Sequence, residues 1–594
     1  MQFRRLESRL LLWQRKRRQR MEAFGIQAES QLEQNFFKRF DHLVNVRRFV
    51  ATWMLLVVLL VGCVVAQTRS LSGYYQTLQP IPGGIYAEGI IGSYTDANPI
   101  YATGEVDQAV SRLIFAGLLT YNDKNQLVDD LADSWNAQDN GLQYVVHLRP
   151  NLKWQDGQPL TAKDVVFTIH TIQNPDAQSP LNTSWQGVKC TATDDRTIVF
   201  TLPNPLASFP YSLTTGIIPE HILGNVPMDQ MRSVAFNTTH PVGSGPFALK
   251  GLEVSGDTPQ TREEQIVLRP FSHYWAGTPK LSSFVVHAFH AKQRMIGSFE
   301  KQGINAMVGL NSLPHKLAND SSVQTYQMPL TAGTYVFFKT SSGVLADAKV
   351  RQALVSSVNT QNIIRQLGYP AMPVDEPLLR GQLGYNPAYA QAGYNQAAAA
   401  ATLTADGWVP GPNGIRYKNG QPLTFNLFAQ NTPEYTQVTN TLSQQWGDLG
   451  VDVVVHLQSS ADLQPTLQSH SYDALLYGIS IGIDPDVFVY WDSSQADVRS
   501  ASRLNFSEYK SSTADSSLEA GRTRINPTLR AIKYRAFLQA WQKDAPALGL
   551  YQPRFLYVTR GIVYGLNEHM INTDTDRYDN VQNWEIREAP KTIN

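Results

Sequence analysis

Residues 144–169 read YVVHLRPNLKWQDGQPLTAKDVVFTI. Tyr144, Val146 and Leu148 alternate with Val145, His147 and Arg149, the period-2 pattern of a strand with one buried face. Asn151 to Trp154 resumes a short extended piece, and Asp156-Gly157 is a tight-turn signal, because glycine accepts positive φ without steric cost. Thr161 stands before Ala162, Lys163 and Asp164, with Val165, Phe167 and Ile169 behind. It therefore reads as the N-cap of a helix. Strand, turn and capped helix are common; the string W-x-D-G-x-P-L-T-A-x-D-V-V-F is not.

Working outward, Tyr86 to Gly92 reads as an opening strand followed by a loop, Ser93 to Pro99. Asp107 to Leu119 places Val110, Leu113, Ile114 and Leu118 at helical spacing. Thr197 to Leu202 alternates as another strand after the Asp194-Asp195 turn. Further distinctive short pieces follow in order: Gly117-Leu118-Leu119-Thr120-Tyr121, Leu131-Ala132-Asp133-Ser134-Trp135, Ile217 to Leu223 (IIPEHIL), and Pro241 to Phe247 (PVGSGPF). The glycines of the last suggest a sharp reversal. Then come Tyr274 to Lys280 (YWAGTPK), Asp347 to Leu354 with Val350-Arg351-Gln352-Ala353-Leu354, and Asp406-Gly407-Trp408. Trp446 to Val451 (WGDLGV), Asn505 to Tyr509 (NFSEY) and Asp544 to Leu548 (DAPAL) close the series.

One such match is weak, but a dozen in fixed order is specific. Over residues 85 to about 565 the chain resembles the family 5 extracellular solute-binding proteins, the oligopeptide-, dipeptide- and nickel-binding receptors of ABC importers. The resemblance implies an α/β, two-lobed periplasmic-binding-protein-like fold of type II with an extra subdomain. Alternating strands and helices agree with that class. On this reading lobe I runs over 85–330 with the inserted subdomain, lobe II over 331–545, and 546–594 returns to lobe I. Hinge crossings are expected near Thr331–Thr340 and Pro546–Tyr551. No internal repeat is visible; Asn395 to Ala401, NQAAAAA, is a short helical alanine run.

The chain has 594 residues, too many for one compact core. Apolar content of 42% and charged content of 17% are ordinary for a globular protein. Residues 1–48 hold 12 Lys and Arg against 5 Asp and Glu, and the remainder 38 against 45. A basic front and a mildly acidic body argue against nucleic acid as partner of the main domain. Two cysteines, Cys63 and Cys190, make no disulfide framework.

Phe49 to Ala66, FVATWMLLVVLLVGCVVA, carries no charge. As a helix it spans about 27 Å, near the thickness of a bilayer's hydrocarbon core. Arg47 and Arg48 precede it, so the positive-inside rule places the 1–48 tail in the cytoplasm and the main domain outside. The preferred reading is a single transmembrane signal anchor over 49–66. The alternative is a lipoprotein signal, since Leu60-Val61-Gly62-Cys63 fits a lipobox with Cys63 as the acylated residue. In the tail, Phe3, Leu6, Leu10 and Trp13 recur at helical spacing among arginines. That is a basic amphipathic helix suited to an anionic leaflet, or only the orientation signal for the anchor. Residues 67–84, with Gly73, Pro80 and Pro82, read as a linker.

Catalytic patterns are few. The sequence has no phosphate loop, no H-E-x-x-H and no zinc-spaced Cys/His cluster, and it calls for no cofactor or metal. Gly478-Ile479-Ser480-Ile481-Gly482 fits G-x-S-x-G, and His569 follows in the order Ser…Asp…His, which would make the chain a membrane-bound serine hydrolase. Two β-branched neighbours crowd a nucleophile elbow, so a strand ending in a loop is the better reading.

The same segment matters for binding. In peptide-binding relatives a loop here supplies an Asp for the ligand's α-ammonium; aligning Asp484-Pro485-Asp486 with the family's D-P-(D/E) puts that position at Ile481. Asp484 is then the candidate substitute. The resemblance further implies contacts at Thr103, Gly104 and Glu105, and Gly478 and Ser480 are candidates as part of the same segment. Tyr94, Tyr490 and Trp491 are candidates for an aromatic cleft wall. The sequence thus describes a monomeric extracytoplasmic receptor, not an enzyme, that gives a peptide to a separate ABC permease and ATPase. A nickel chelate, oligosaccharide or haem is the alternative ligand.

Overall fold

The computed structural model describes residues 47–72, 76–258, 261–500 and 503–592. The amphipathic stretch proposed within the first forty residues lies outside them. The chain divides into two compact units, one reaching Gln79 and resuming at Glu588, the other spanning 80–587. In the first, a continuous helix runs from Arg47 to Ser72. Its segment Phe49–Arg69 is long and apolar enough to cross a membrane and is not buried by protein. The helix passes Ala66 without a break, and Gln76–Ile81 is a strand. Much of the stretch expected to be a linker is therefore regular structure; its polar side chains do not prevent backbone hydrogen bonding.

Within the second unit the described residues form a mixed sheet of twelve strands. Ile85–Ile91 pairs in parallel with Ser283–Phe289, which pairs antiparallel with Glu263–Pro270 and through it with Phe247–Ser255. On the other side, Ala332–Phe338 lies antiparallel to Ala474–Ser480, which continues in parallel to Thr424–Gln430 and Asp452–Gln458. The 14-residue strand Ala547–Arg560 serves both sides. Its residues 547–551 pair with Ala332–Phe338, and 554–560 pair with Val323–Pro329. The expected changeover at Pro546–Tyr551 thus falls later, at Gln552–Arg554. Leu548, Leu550 and Tyr551 are packed with the later half of the chain, where their apolar side chains find cover.

Alternation explains that packing. Val336 and Phe338 enter one core beneath helices Ala348–Ser356 and Pro433–Asp448, while Tyr335 and Phe337 enter another beneath Ser512–Arg522 and Pro527–Asp544. A strand covered on both faces reads as a continuous apolar run, here TYVFF.

The 144–169 stretch builds a separate four-stranded sheet, ordered Ala132–Gln138, Gln143–Leu148, Thr197–Thr201, Lys189–Asp194, with helix Ala162–Gln173 against it. Tyr144, Val146 and Leu148 point inward as expected. Gly157 has φ +91° in the tight turn. Thr161 N–H donates to Asp164 Oδ2 at 2.8 Å, and Asp164 Oδ1 accepts the Glu220 amide at 2.9 Å. One carboxylate therefore caps its helix and holds the Ile217–Leu223 piece. Gln155 does similar work: its amide donates to the carbonyls of Ile114 (3.0 Å) and Phe247 (2.7 Å) and accepts from Gly243 N–H (3.0 Å).

This junction corrects two expectations. The helix predicted over Asp107–Leu119 spans Glu105–Ile114, because Gly245 N–H takes the Ile114 carbonyl at 2.8 Å and Phe115 is extended. Leu119–Tyr121 instead pairs with Leu127–Asp129. Gly243 and Gly245 do not serve a positive-φ reversal; a Cβ on Gly243 would lie 2.0 Å from the Ile114 oxygen, so close approach excludes a side chain. Cys190 is buried in the small sheet, and burial pushes its thiol up to about 12.

Candidate functional site

A cavity of about 480 Å³ opens where the two halves of the large sheet meet. Glu105, Gly309–Asn311 and Phe555 line it from one side, and Thr334, Tyr369, Glu434, Tyr435 and Gly478–Ser480 from the other. A neighbouring cavity of about 620 Å³ shares Gly478–Ser480 and adds Tyr477, Tyr490, Arg503 and Phe506. The end of the Ala474–Ser480 strand borders both spaces. One edge of that strand is paired along its whole length with Ala332–Phe338, but the other pairs with Leu427–Ala429 only as far as Leu476. Residues 477–480 therefore present a strand edge with no partner strand among the described residues, facing cavities of ligand size.

Glu105 opens its helix at the cavity mouth. Although exposed, its carboxyl is pushed up by the desolvating protein around it and by Asp574, with Arg577 opposing. Across the cavity the Tyr551 hydroxyl donates to Glu434 Oε1 at 2.6 Å, and Tyr369 lines the same wall. Desolvation and the adjacent Glu434 charge raise both phenols, while Tyr435 is raised to about 12. Arg554 lines the cavity and reaches Gln327 at 3.4 Å.

Of the residues expected from sequence, Glu105, Gly478 and Ser480 share the first cavity, and Tyr490 joins the second, its hydroxyl donating to Ser480 O at 2.8 Å. Thr103 and Gly104 are exposed and do not line either space; their carbonyls accept from Gln108. Ile481 carries no charge into the site. Its N–H donates to Thr331 O at 2.9 Å, and its side chain packs on the core around Trp491.

Three further candidates move out of the site. Asp484 is held by Arg530 in a two-bond pair of 2.7 and 2.8 Å, so it is not available as a substitute counter-charge. Trp491 is 0% exposed and packs against Phe337 and Trp541. Tyr94 is 8% exposed, with its hydroxyl donating to Thr238 O at 2.7 Å. Both aromatics are core because neighbours cover their rings, which composition does not reveal.

The hydrolase pattern finds no support in the geometry. Ser480 ends a regular strand opposite Ala332 rather than occupying a strained turn. His569 bonds to Asn567 O at 3.0 Å and lies 3.7 Å from Asp579. Sequence reasoning missed Tyr369, Glu434 and Arg554. For Glu434 a signal existed: Thr432-Pro433-Glu434 caps a helix directly after strand Thr424–Gln430, and ligands gather at such strand-to-helix junctions of α/β sheets. Tyr369 and Arg554 carry no comparable local pattern.

Comparison with known proteins agrees with this architecture. Residues 126–500 match the bacterial extracellular solute-binding proteins, family 5 middle region. The oligopeptide-binding protein AppA of Bacillus subtilis is 25% identical over 84% of this chain and 92% of its own length. Its structure with a nonapeptide superposes with a TM-score of 0.65 at 23% identity, covering 86% of this chain and all of AppA. The probable D,D-dipeptide-binding periplasmic protein DdpA of Escherichia coli is 26% identical over 75% of this chain and 84% of its own. NikZ of Campylobacter jejuni, solved with Ni(L-His), gives a TM-score of 0.67 at 23% identity over 84% of this chain and 99% of that one.

Proposed function

The chain belongs to the bacterial extracellular solute-binding proteins of family 5, and from that premise we propose that it captures peptides and hands them to an ABC permease and its ATPase. The observation that carries this reading is the strand edge at 477–480, which has no partner strand among the described residues and is bordered by cavities of about 480 and 620 Å³. A peptide added as a strand there satisfies its own backbone groups without regard to side-chain identity, while the two spaces take its side chains. The names of AppA and DdpA, an oligopeptide binder and a dipeptide binder, support the same class. NikZ marks the alternative, a nickel chelate, but the residues lining the first cavity include no histidine, cysteine or methionine. The lobes close over the ligand by bending at Leu330–Ala332 and Gln552–Arg554, where the chain passes between the two halves. The helix Arg47–Ser72 tethers this receptor to the membrane as an uncleaved anchor, with Cys63 inside the span.

Native mass spectrometry of the protein purified from its source cell tests the reading. Co-purifying peptides support it; a single sugar, haem or metal chelate in their place overturns it.

A further inference from the structure

Glu434 is the second residue of helix Pro433–Asp448, whose N-cap Thr432 accepts the Tyr435 amide at 3.1 Å. Its carboxylate is partly buried at the wall of the first cavity. The Tyr551 hydroxyl hydrogen-bonds to it, and Tyr369 stands on the same wall. A carboxylate offers about four acceptor positions, so one donor leaves most of them unused. Among the described residues no lysine, arginine or histidine forms an ion pair with it, and Arg554 in the same cavity turns to Gln327 instead. Burying a charge costs free energy unless a partner of opposite sign compensates. Here the protein supplies polar neutral neighbours and no counter-ion.

The alignment of the rest of the site agrees. Ile481 is apolar, and Asp484 is consumed by Arg530, so neither provides a negative charge to a ligand. Tyr435, next to Glu434, places its hydroxyl 3.1 Å from where a Cβ on Gly478 would stand. The carboxylate thus adjoins the open strand edge. Tyr369 and Tyr435 line the same wall.

We infer that Glu434 and its surrounding tyrosines form the binding site for a primary ammonium group of the ligand. The inference rests on the capture reading above. The ammonium has two sources, a peptide's N-terminus or a lysine side chain, and the chemistry recognised is the same. A helix-dipole role alone accounts for an acidic residue at this end of a helix, but it predicts no dependence of binding on the ligand's amine.

The test uses the full chain in detergent and alanine peptides of graded length in four forms. These have a free or acetylated N-terminus, each with lysine or norleucine at the centre. Native mass spectrometry ranks them. Wild type should bind the amine-bearing forms about tenfold or more tightly than the acetylated norleucine form, the strength of a charge-assisted contact. Glu434→Gln should abolish that preference, and Glu434→Asp, which withdraws the charge by one methylene, should leave it intermediate. Preference for only the free-terminus forms assigns the α-ammonium, and for only the lysine forms the side chain; both support the site. If Glu434→Gln keeps the wild-type preference, or wild type shows none among peptides it binds, the inference is overturned. If no peptide binds, cadaverine is the remaining probe. Its binding, lost in Glu434→Gln, keeps the ammonium site while refuting the peptide reading; no binding refutes both. A melting temperature for each variant separates misfolding from lost recognition.

Discussion

The Asp484–Arg530 pair separates a structural carboxylate from a ligand contact, and the outcome can be stated in advance. The two side chains are 9% and 7% exposed, joined by two short hydrogen bonds, and Arg530 Nε also donates to Gly521 O at 3.1 Å. Burial works against the guanidinium's charge, but Asp484 more than offsets it and holds the Arg530 pKa above its ordinary value. Asp484→Ala leaves a buried cation without a partner, a loss of about 3–5 kcal/mol. With an unfolding entropy of about 2.1 cal/mol/K per residue, a unit of roughly 500 residues has about 1.1 kcal/mol/K, so Tm falls by about 3–5 °C. Scanning calorimetry on wild type, Asp484→Ala and the double variant Asp484→Leu with Arg530→Met measures it. The double variant should recover most of the loss, since a hydrophobic replacement removes both desolvation costs together. Binding of a given peptide should be unchanged wherever the protein is folded. The reasoning is refuted if Asp484→Ala leaves Tm unmoved and weakens binding, for then the carboxylate serves the ligand.

Other outcomes follow from single side chains. Burial raises the Glu376 carboxyl to about 8, so its contribution is complete below the unfolded value of about 4.3 and is lost as pH rises through 8. Glu376→Gln should therefore match wild type in Tm near pH 4 and exceed it at pH 9; a difference independent of pH would contradict this. Gly243→Ala should destabilise by more than about 3 kcal/mol, because its Cβ would meet the Ile114 carbonyl at 2.0 Å, whereas Gly157→Ala, with φ +91° and open space around it, should cost only about 1–2 kcal/mol in denaturant titration. Ser480→Ala should preserve the ligand-induced rise in Tm and abolish no turnover; loss of an esterase activity would revive the hydrolase reading.

What the sequence made legible was local. The Tyr144–Leu148 alternation, the Asp156-Gly157 turn and the Thr161 cap are decided by neighbours within a few residues, and they stand where the pattern placed them. Motifs in fixed order also located the family, and the reason they travel together is now physical. Gln155 of one motif bonds to Gly243 of another and to the carbonyl that ends the Glu105–Ile114 helix, so none of the three can change alone. The helix length was misjudged because that carbonyl's partner, Gly245, lies more than a hundred residues away.

The candidate site fared worse for the same reason. Whether a carboxylate faces ligand or protein depends on which cation reaches it, and the cations come from elsewhere in the chain. Asp484 is the candidate that the Asp484-Pro485-Asp486 match offers in place of Ile481, yet Arg530, 46 residues on, reaches it through the packing of helix Pro527–Asp544. Glu434 stands in the first turn of a helix, where tertiary packing brings the Tyr551 hydroxyl to it while Arg554 bonds to Gln327. The two carboxylates exchange roles once long-range pairing is counted. In a binding cleft the functional charge is the one the fold leaves uncompensated. That property belongs to the set of contacts and not to any residue type or spacing, so a search of this cleft for specificity begins from unpaired buried charge rather than from the motif.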